Sequence, residues 1–294
     1  MLKKYRYLVF ILFFISCRQQ EPSVTLVFAG DLMPDRGIRK AIEQKGIEPL
    51  FQNLPYDLHA VDYTVANLEC AVCDSGMLKV DKRFAFRANP EWLPAFRKHG
   101  INIVSLANNH SADCGENGLL QTLASIRKAN MYTVGANANP QCVGAPLLIS
   151  RGKIRVALFA SSFLKSDSRY MYHAQVTELI KRIRTFKTCH PSTVIILLLH
   201  WGVEGKTMAE NVQIQEAHSL IEAGVTVLVG THPHVVQPIE HYKKGLIFYS
   251  LGNFIFDNNR SPGNKGMLAK LVIGQGHIVA MDTVTFNVYS GYGR

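Results

Sequence analysis

The feature that most constrains this chain is a series of short, nearly all-apolar runs spread along its 294 residues. They are Val24–Phe28, Tyr63–Ala66, Ile101–Leu106, Ile154–Ala160, Val194–Leu199, Val225–Val229 and Leu246–Tyr249. A strand with one wet face alternates apolar and polar residues, so a short run without alternation must bury both faces. Such a sheet needs cover on each side, and the sequence supplies it between the runs. Leu119, Leu120, Leu123 and Ile126 make one helical stripe, and Val176, Leu179, Ile180, Ile183 and Phe186 a second. Ile214, Ala217 and Ile221 make a third, which Gly224 closes as a C-terminal glycine. Strands alternating with helices predict a layered α/β fold. Near the end, Met267–Ile273 and His277–Tyr289 flank a Gly-Gln-Gly turn and read as a hairpin, which makes the sheet mixed. No repeat, long linker or low-complexity stretch interrupts the chain after Pro22, so residues 24–290 are taken as the folded unit.

The residues at the end of each run point to chemistry. Phe28-Ala29-Gly30 leads to Asp31, Val65-Ala66 to Asn67-Leu68-Glu69, and Ser105-Leu106-Ala107 to Asn108-Asn109-His110. Leu197–Leu199 leads to His200, Leu228-Val229-Gly230 to Thr231-His232-Pro233-His234, and Phe248-Tyr249-Ser250 to Leu251-Gly252-Asn253. In open α/β sheets ligands bind outside the carboxyl ends of the strands. Any one polar strand end is ordinary turn chemistry, but six in register are not what turns prefer. Carboxylates, imidazoles and a carboxamide without a thiolate suit Zn, Mn or Fe, and they argue against a closed structural zinc site. Six protein ligands exceed one tetrahedral ion and fit two ions about 3.5–4 Å apart, a pair suited to phosphoryl displacement. His110, followed three residues later by Asp113, is placed to protonate a leaving group, with Asp113 either orienting it or capping the helix near Gly115. Arg36, five residues after Asp31, is either a contact to a substrate phosphate or carboxylate or a solvated loop arginine. His218, on the third helical stripe, reads as scaffold.

Composition sets the setting. The hydrophobic fraction of 47% and charged fraction of 18% are those of a globular protein. The chain opens with Lys3, Lys4 and Arg6 before an apolar run from Leu8 to Ile15, too short for an ordinary membrane span and read as a secretory signal. It ends at Ser16-Cys17, a lipobox-like site with Phe14 three residues before the cysteine, so residues 1–17 are expected to be a lipoprotein leader with lipid carried on Cys17. Removing residues 1–16 takes three basic residues and no acid from a net charge of +10, leaving +7. No basic cluster with interleaved aromatics is present beyond it, which excludes nucleic acid as the expected partner. A mild basic excess suits anionic lipid, glycan or substrate instead. Of six cysteines, Cys70 and Cys73 form a CxxC pair without a second CxxC, expected to be a local disulfide or small core residues.

The stretches GDLMPDR (Gly30–Arg36), ANLE (Ala66–Glu69), SLANNHSADCG (Ser105–Gly115), HWGVE (His200–Glu204), GTHPHVVQ (Gly230–Gln237) and YSLGNFIFD (Tyr249–Asp257) together resemble the CapA/PgsA family of capsule-synthesis proteins, a branch of the calcineurin-like metallophosphoesterase fold. The resemblance implies a layered mixed β-sheet sandwich flanked by helices. It also implies one or two divalent ions, Mn, Zn or Fe, on Asp31, Glu69, Asn109, His200, His232 and His234, with His110 as general acid beside Asp113. Substrate contacts are expected at Arg36, Asn67, Asn108 and Asn253. The family is associated with making, exporting or anchoring poly-γ-glutamate, which implies an anionic polymer or phosphoester substrate, work at the cell envelope and membrane proteins of capsule synthesis as partners. Two positions depart from the phosphoesterase pattern. The first-strand Asp-x-His is here Asp31-x-Met33, and Glu69 stands where Asp is usual. A thioether is a poor ligand for hard cations, so one ion is expected to be weakly held or absent.

Overall fold

A computed structural model describes residues 22–74, 82–165, 168–258 and 260–288. The expected leader and its Cys17, and Tyr289 at the end of the expected hairpin, lie outside the described residues.

From the N-terminal side the elements run β1 (Val24–Leu32), α1 (Gly37–Lys45), β2 (Tyr63–Leu68), β3 (Ala71–Val72), β4 (Arg87–Ala88), α2 (Leu93–Lys98), β5 (Ile101–Ser105), α3 (Gly115–Lys128) and β6 (Tyr132–Val134). The second half runs β7 (Leu147–Arg151), β8 (Ile154–Ser162), α4 (Val176–Cys189), β9 (Val194–His200), α5 (Asn211–Ala223), β10 (Val227–Thr231), β11 (Ile239–Tyr242), β12 (Gly245–Phe248), β13 (Asn253–Ile255), β14 (Lys265–Ile273) and β15 (Ile278–Asn287). All seven apolar runs coincide with strands, and the three stripes with α3, α4 and α5.

Two mixed sheets face each other. One has the order β15-β14-β1-β2-β5-β6, with β13 also on β1; the other is β11-β12-β10-β9-β8-β7. Each has a parallel centre and antiparallel strands at its edges: β14 and β15 in the first, β11 and β7 in the second. Side-chain alternation sorts every central strand into two cores. Val24, Leu26 and Phe28 of β1 and Val194, Ile196 and Leu198 of β9 meet between the sheets. Val27 and Val104 turn outward onto α1, α2 and α3, while Ile195, Leu197 and Leu199 turn outward onto α4 and α5. The unbroken apolar runs follow from this, since neither face of a central strand reaches water.

The same alternation corrects the expected Cys70–Cys73 pairing. Cys70 and Val72 face the outer core, while Ala71 and Cys73 face the other way, onto Cys114. Three residues apart on an extended segment, Cys70 and Cys73 point to opposite sides. Cys73 is bonded to Cys114 at the start of α3, and Cys70 is a buried free thiol. The small-core reading of Cys70 is what the structure shows.

Candidate metal centre

The row of side chains that fills the inter-sheet core becomes polar at the carboxyl ends of the strands. On β9 the inward row Val194, Ile196, Leu198 is continued by His200, and on β10 the row Val227, Val229 is continued by Thr231. On β2 the row from Val65 is continued by Asn67 and Glu69. Asp31 needs a further device. Phe28 faces Val65 across the β1–β2 ladder, but Asp31 faces Asn67, so one extra residue sits in β1. That bulge turns Asp31 from the outer face to the inner one. Gly30 lies in the bulge because a Cβ there would stand 1.8 Å from the Gly252 carbonyl oxygen.

His232 and His234 come after β10 on a tight loop, and both have positive φ, 99° and 58°. Residues with side chains adopt that region at a cost of roughly 1–3 kcal/mol each, a strain that concentrates at functional sites. Here it aims two imidazoles at one spot.

The groups converge closely. Glu69, fully buried, has its Oε1 3.5 Å from His234 Nε2, 3.8 Å from His200 Nε2 and 4.0 Å from His110 Nε2. Asp31 Oδ2 lies 3.1 Å from His234 Nδ1 and also receives the His232 backbone N–H at 3.4 Å. Asn109 Oδ1 lies 2.9 Å from His200 Nε2. The six residues expected as ligands are therefore one cluster, drawn from β1, the end of β2, the loop after β5, β9 and the loop after β10. Three overlapping sets place one donor atom from each residue within 4.8 Å of the others: Glu69, His200 and His232; Asp31, Glu69 and His234; and Glu204, His232 and His234. Glu204 was not among the sequence candidates, although its HWGVE stretch was.

The residues fit a divalent cation. Glu69 Oε1 and His232 Nδ1 are buried polar atoms with no hydrogen-bond partner, which is costly in a closed protein. Burial, and then the negative charge of Asp31, push the Glu69 carboxyl well above its ordinary range. Burial likewise holds His200 well below the usual imidazole value, and takes His232 down to about 4, in each case aided by a neighbouring imidazole. Neutral imidazole is the form that binds metal. For Asp31 burial acts upward, but the hydrogen bond and charge of His234 outweigh it and bring the group to about 2. His234 is correspondingly raised, the Asp31 partnership overcoming its burial.

A supporting layer of hydrogen bonds sets the orientations. Thr231 Oγ1 is 3.0 Å from His200 Nδ1, leaving Nε2 for the centre. Asn67 donates to Asp31 Oδ1 at 2.8 Å, and Asn253 Oδ1 is 3.0 Å from His234 Nδ1. The Asn108 side chain accepts from the backbone N–H of His110 and Ser111 and from the Ser111 hydroxyl, shaping the turn that carries Asn109 and His110. Asn67, Asn108 and Asn253, expected to touch substrate, are instead buried and spend their amides on protein partners. Asp113 lies 2.8 Å from His110 Nδ1, accepts the Phe86 N–H at 2.6 Å and pairs with Lys82. It does not cap α3, which starts without a side-chain cap. Burial lowers the His110 pKa despite Asp113.

The centre opens into a cleft of ≈ 430 Å³ whose lining includes His110, His234, Glu204, Arg36 and Arg260. Arg36 pairs with Asp257 at 3.2 Å; Arg260 has no carboxylate partner among the described residues. Phe86 and Phe256 pack on the His110 and His234 rings. Met33, the departure from the phosphoesterase pattern, lies fully buried in the apolar core with Ile38 and Ile42 of α1, and its thioether does not join the imidazoles. Lys82 and Arg260 went unseen in the sequence, and Thr231, quoted at its strand end, was given no role there, since only the folded chain brings them to their partners.

The model of the family described as "Bacterial capsule synthesis protein PGA_cap" matches residues 25–258. The chain is 27% identical to the capsule biosynthesis protein CapA of Bacillus anthracis, over 93% of this chain and 69% of that one. It is 32% identical to the PGA biosynthesis protein CapA of Bacillus subtilis (strain 168), over 78% of this chain and 62% of that one. It thus spans about two thirds of these relatives' length. Among solved structures it is similar to a hypothetical protein from Thermus thermophilus, with TM-score 0.57 at 14% identity, covering 90% and 100% of the two chains. It is also similar to a novel phosphatase from Mycoplasma pneumoniae, with TM-score 0.53 at 12% identity, covering 91% and 95%. These likenesses show that the chain shares the fold of these two proteins, one of them a phosphatase.

Proposed function

The chain belongs to the PGA_cap family of bacterial capsule synthesis proteins, and on that premise we propose that it is an envelope-associated, metal-dependent hydrolase serving capsule or poly-γ-glutamate synthesis. One observation carries the proposal. Glu69 Oε1 is buried, unpaired and within 4.0 Å of three imidazole nitrogens from three separate segments. A carboxylate facing imidazoles with no donor between them is an arrangement that a divalent cation satisfies.

Asp31, Glu69, Asn109, His200, His232 and His234 are the residues to hold the metal, and Glu204 extends the set toward the cleft. A divalent cation held there would polarise a phosphoryl or carbonyl oxygen and lower the pKa of water. His110 keeps Nε2 turned to the centre because Asp113 engages its Nδ1. Burial keeps it neutral before substrate binds, and an anionic substrate raises its proton affinity, so it donates to a leaving group once substrate is in place. Arg36 and Arg260 supply positive charge on the cleft wall for a phosphate or for the carboxylates of a polyglutamate. Secretion and a lipid on Cys17 would set this domain at the envelope, near membrane proteins of capsule synthesis.

Burial of Met33 in the apolar core favours a second reading, a polymer-binding assembly subunit without turnover, because the first strand offers one ligand rather than two. The test loads purified protein with Mn, Zn or Fe in turn and assays phosphodiesters and poly-γ-glutamate. The hydrolase reading expects multiple turnover that Glu69→Gln and His234→Ala abolish, and that His110→Ala slows by roughly 10²–10⁴. Binding of polymer with no turnover under any metal would leave the assembly reading standing and remove the first.

A further inference from the structure

The metal centre occupies one pole of the sandwich, where the central strands end. The opposite pole collects the starts of those strands, the C-terminal ends of α2 and α3 and the turns of the β7–β8 and β11–β12 hairpins. Arg151 ties the two sheets together there, bonding to Asp62 before β2 and to the Ser23 carbonyl just before β1. The chain segment that precedes the folded unit therefore joins it at this pole.

This pole is basic. One concavity of ≈ 430 Å³ is lined by Arg97 and Lys98 from the end of α2 and by Lys128 from the end of α3. A second, of ≈ 630 Å³, is lined by Lys187, Lys243 and Lys244. Neither has an Asp or Glu in its lining, in contrast to the cleft at the metal centre, which holds Glu204 and Asp257. Lys153 lies in the β7–β8 turn at the same pole. Of the carboxylates at this pole, Asp62 is taken by Arg151 and Glu222 by Lys243, while the exposed Asp57 and Glu48 stand beside His59 and His99 and are outnumbered by the surrounding cations. Lys98, Lys128, Lys153 and Lys244 have no carboxylate partner among the described residues, and all four are exposed.

We propose that this pole rests on an anionic phospholipid surface, with the headgroup phosphates seated against the two basic concavities and the metal centre facing away from the bilayer. Separate cations at the corners of one end, with the entering chain at the same end, suit a broad anionic plane better than a single small ligand. Strand β1 sets the geometry. From Val24 to Asp31 the chain climbs seven steps at roughly 3.3 Å each, which lifts the centre roughly 23 Å above the headgroups. The substrate then arrives from the far side, as a soluble or extended polymer, and not as a headgroup of the supporting membrane. This orientation is independent of whether the site turns over substrate.

The test is hydrogen–deuterium exchange of the full chain bound to vesicles of phosphatidylcholine alone or mixed with phosphatidylglycerol. Each lysine at an anionic surface favours the docked state by about fivefold. The four together are expected to slow exchange by at least about tenfold around residues 97–100, 127–131, 151–155 and 242–245 on the mixed vesicles, and not on phosphatidylcholine. Residues 201–210 and 256–258, beside the metal centre, are expected to stay unchanged. The combined variant Lys98→Glu, Lys128→Glu, Lys153→Glu and Lys244→Glu is expected to lose the difference while remaining on the vesicles. Equal exchange on the two vesicle types, or protection appearing at 201–210 and 256–258 instead, would overturn the proposal.

Discussion

Glu69→Gln separates a metal centre from a self-contained polar network more sharply than any other single substitution. In the wild-type protein Glu69 is fully buried, its Oε1 has no hydrogen-bond partner, and burial together with Asp31 makes its charged form unfavourable. Its folded pKa is raised, so the apo protein is stabilised at low pH and loses that contribution as pH rises through the folded value. A bound cation reverses the situation by pairing the carboxylate. With free metal at 100 times its dissociation constant, binding contributes about 2.7 kcal/mol. For a domain of this size that raises Tm by roughly 5–11 °C. Glutamine keeps the shape and removes the charge, so the metal-free variant is expected to melt no lower than metal-free wild type at pH 7–8. Its metal-dependent rise should vanish. The assay is a thermal melt of both proteins after chelation and after readdition of Mn, Zn or Fe. A variant that melts lower than wild type without metal, or that keeps the wild-type rise with it, would refute the reasoning.

Three further outcomes are expected. Thr231→Val takes one of the two partners from His200 Nδ1, the hydroxyl 3.0 Å away, leaving the Asn67 amide at 3.2 Å, and is expected to weaken metal binding roughly 10–100-fold with little change in apo melting, measured by competition against a chelator. His232, held to about 4 when folded, binds its proton first in the unfolded chain, so its contribution to apo stability is lost as pH falls from about 6.5 to 4, opposite in sign to that of Glu69; His232→Gln should remove about 3 kcal/mol of that loss, read as the difference between wild-type and variant denaturant melts in this window. Gly30→Ala brings a methyl group to 1.8 Å from the Gly252 oxygen, and is expected to cost about 2 kcal/mol or more and to lower metal affinity with it, since the bulge that aims Asp31 must move.

Much of this was legible before folding, for a physical reason. Strands covered on both faces leave no polar residue until they end, so Val194–Leu199 announces itself as an interior strand and His200 as its polar terminus. The same logic reads Asp31, Glu69 and the His232–His234 pair, and chain order alone sets six polar ends in one register. What a strand end cannot disclose is which way its side chain points and who stands opposite. Asn67, Asn108 and Asn253 look like substrate contacts in one dimension, yet alternation and the neighbouring loops bury them as supports for Asp31, His110 and His234. Cys70 and Cys73 look paired until the extended segment puts them on opposite faces and brings Cys114 to the second. The bulge at Gly30 has no periodic signature, and Thr231 reaches His200 only because β9 and β10 run side by side. The sequence by itself determined the layered α/β fold and most of the groups that meet, with Glu204, Thr231 and Lys82 added by the fold. The tertiary structure decided their roles, because a role depends on facing direction, burial and partner, and those exist only once the two sheets are packed.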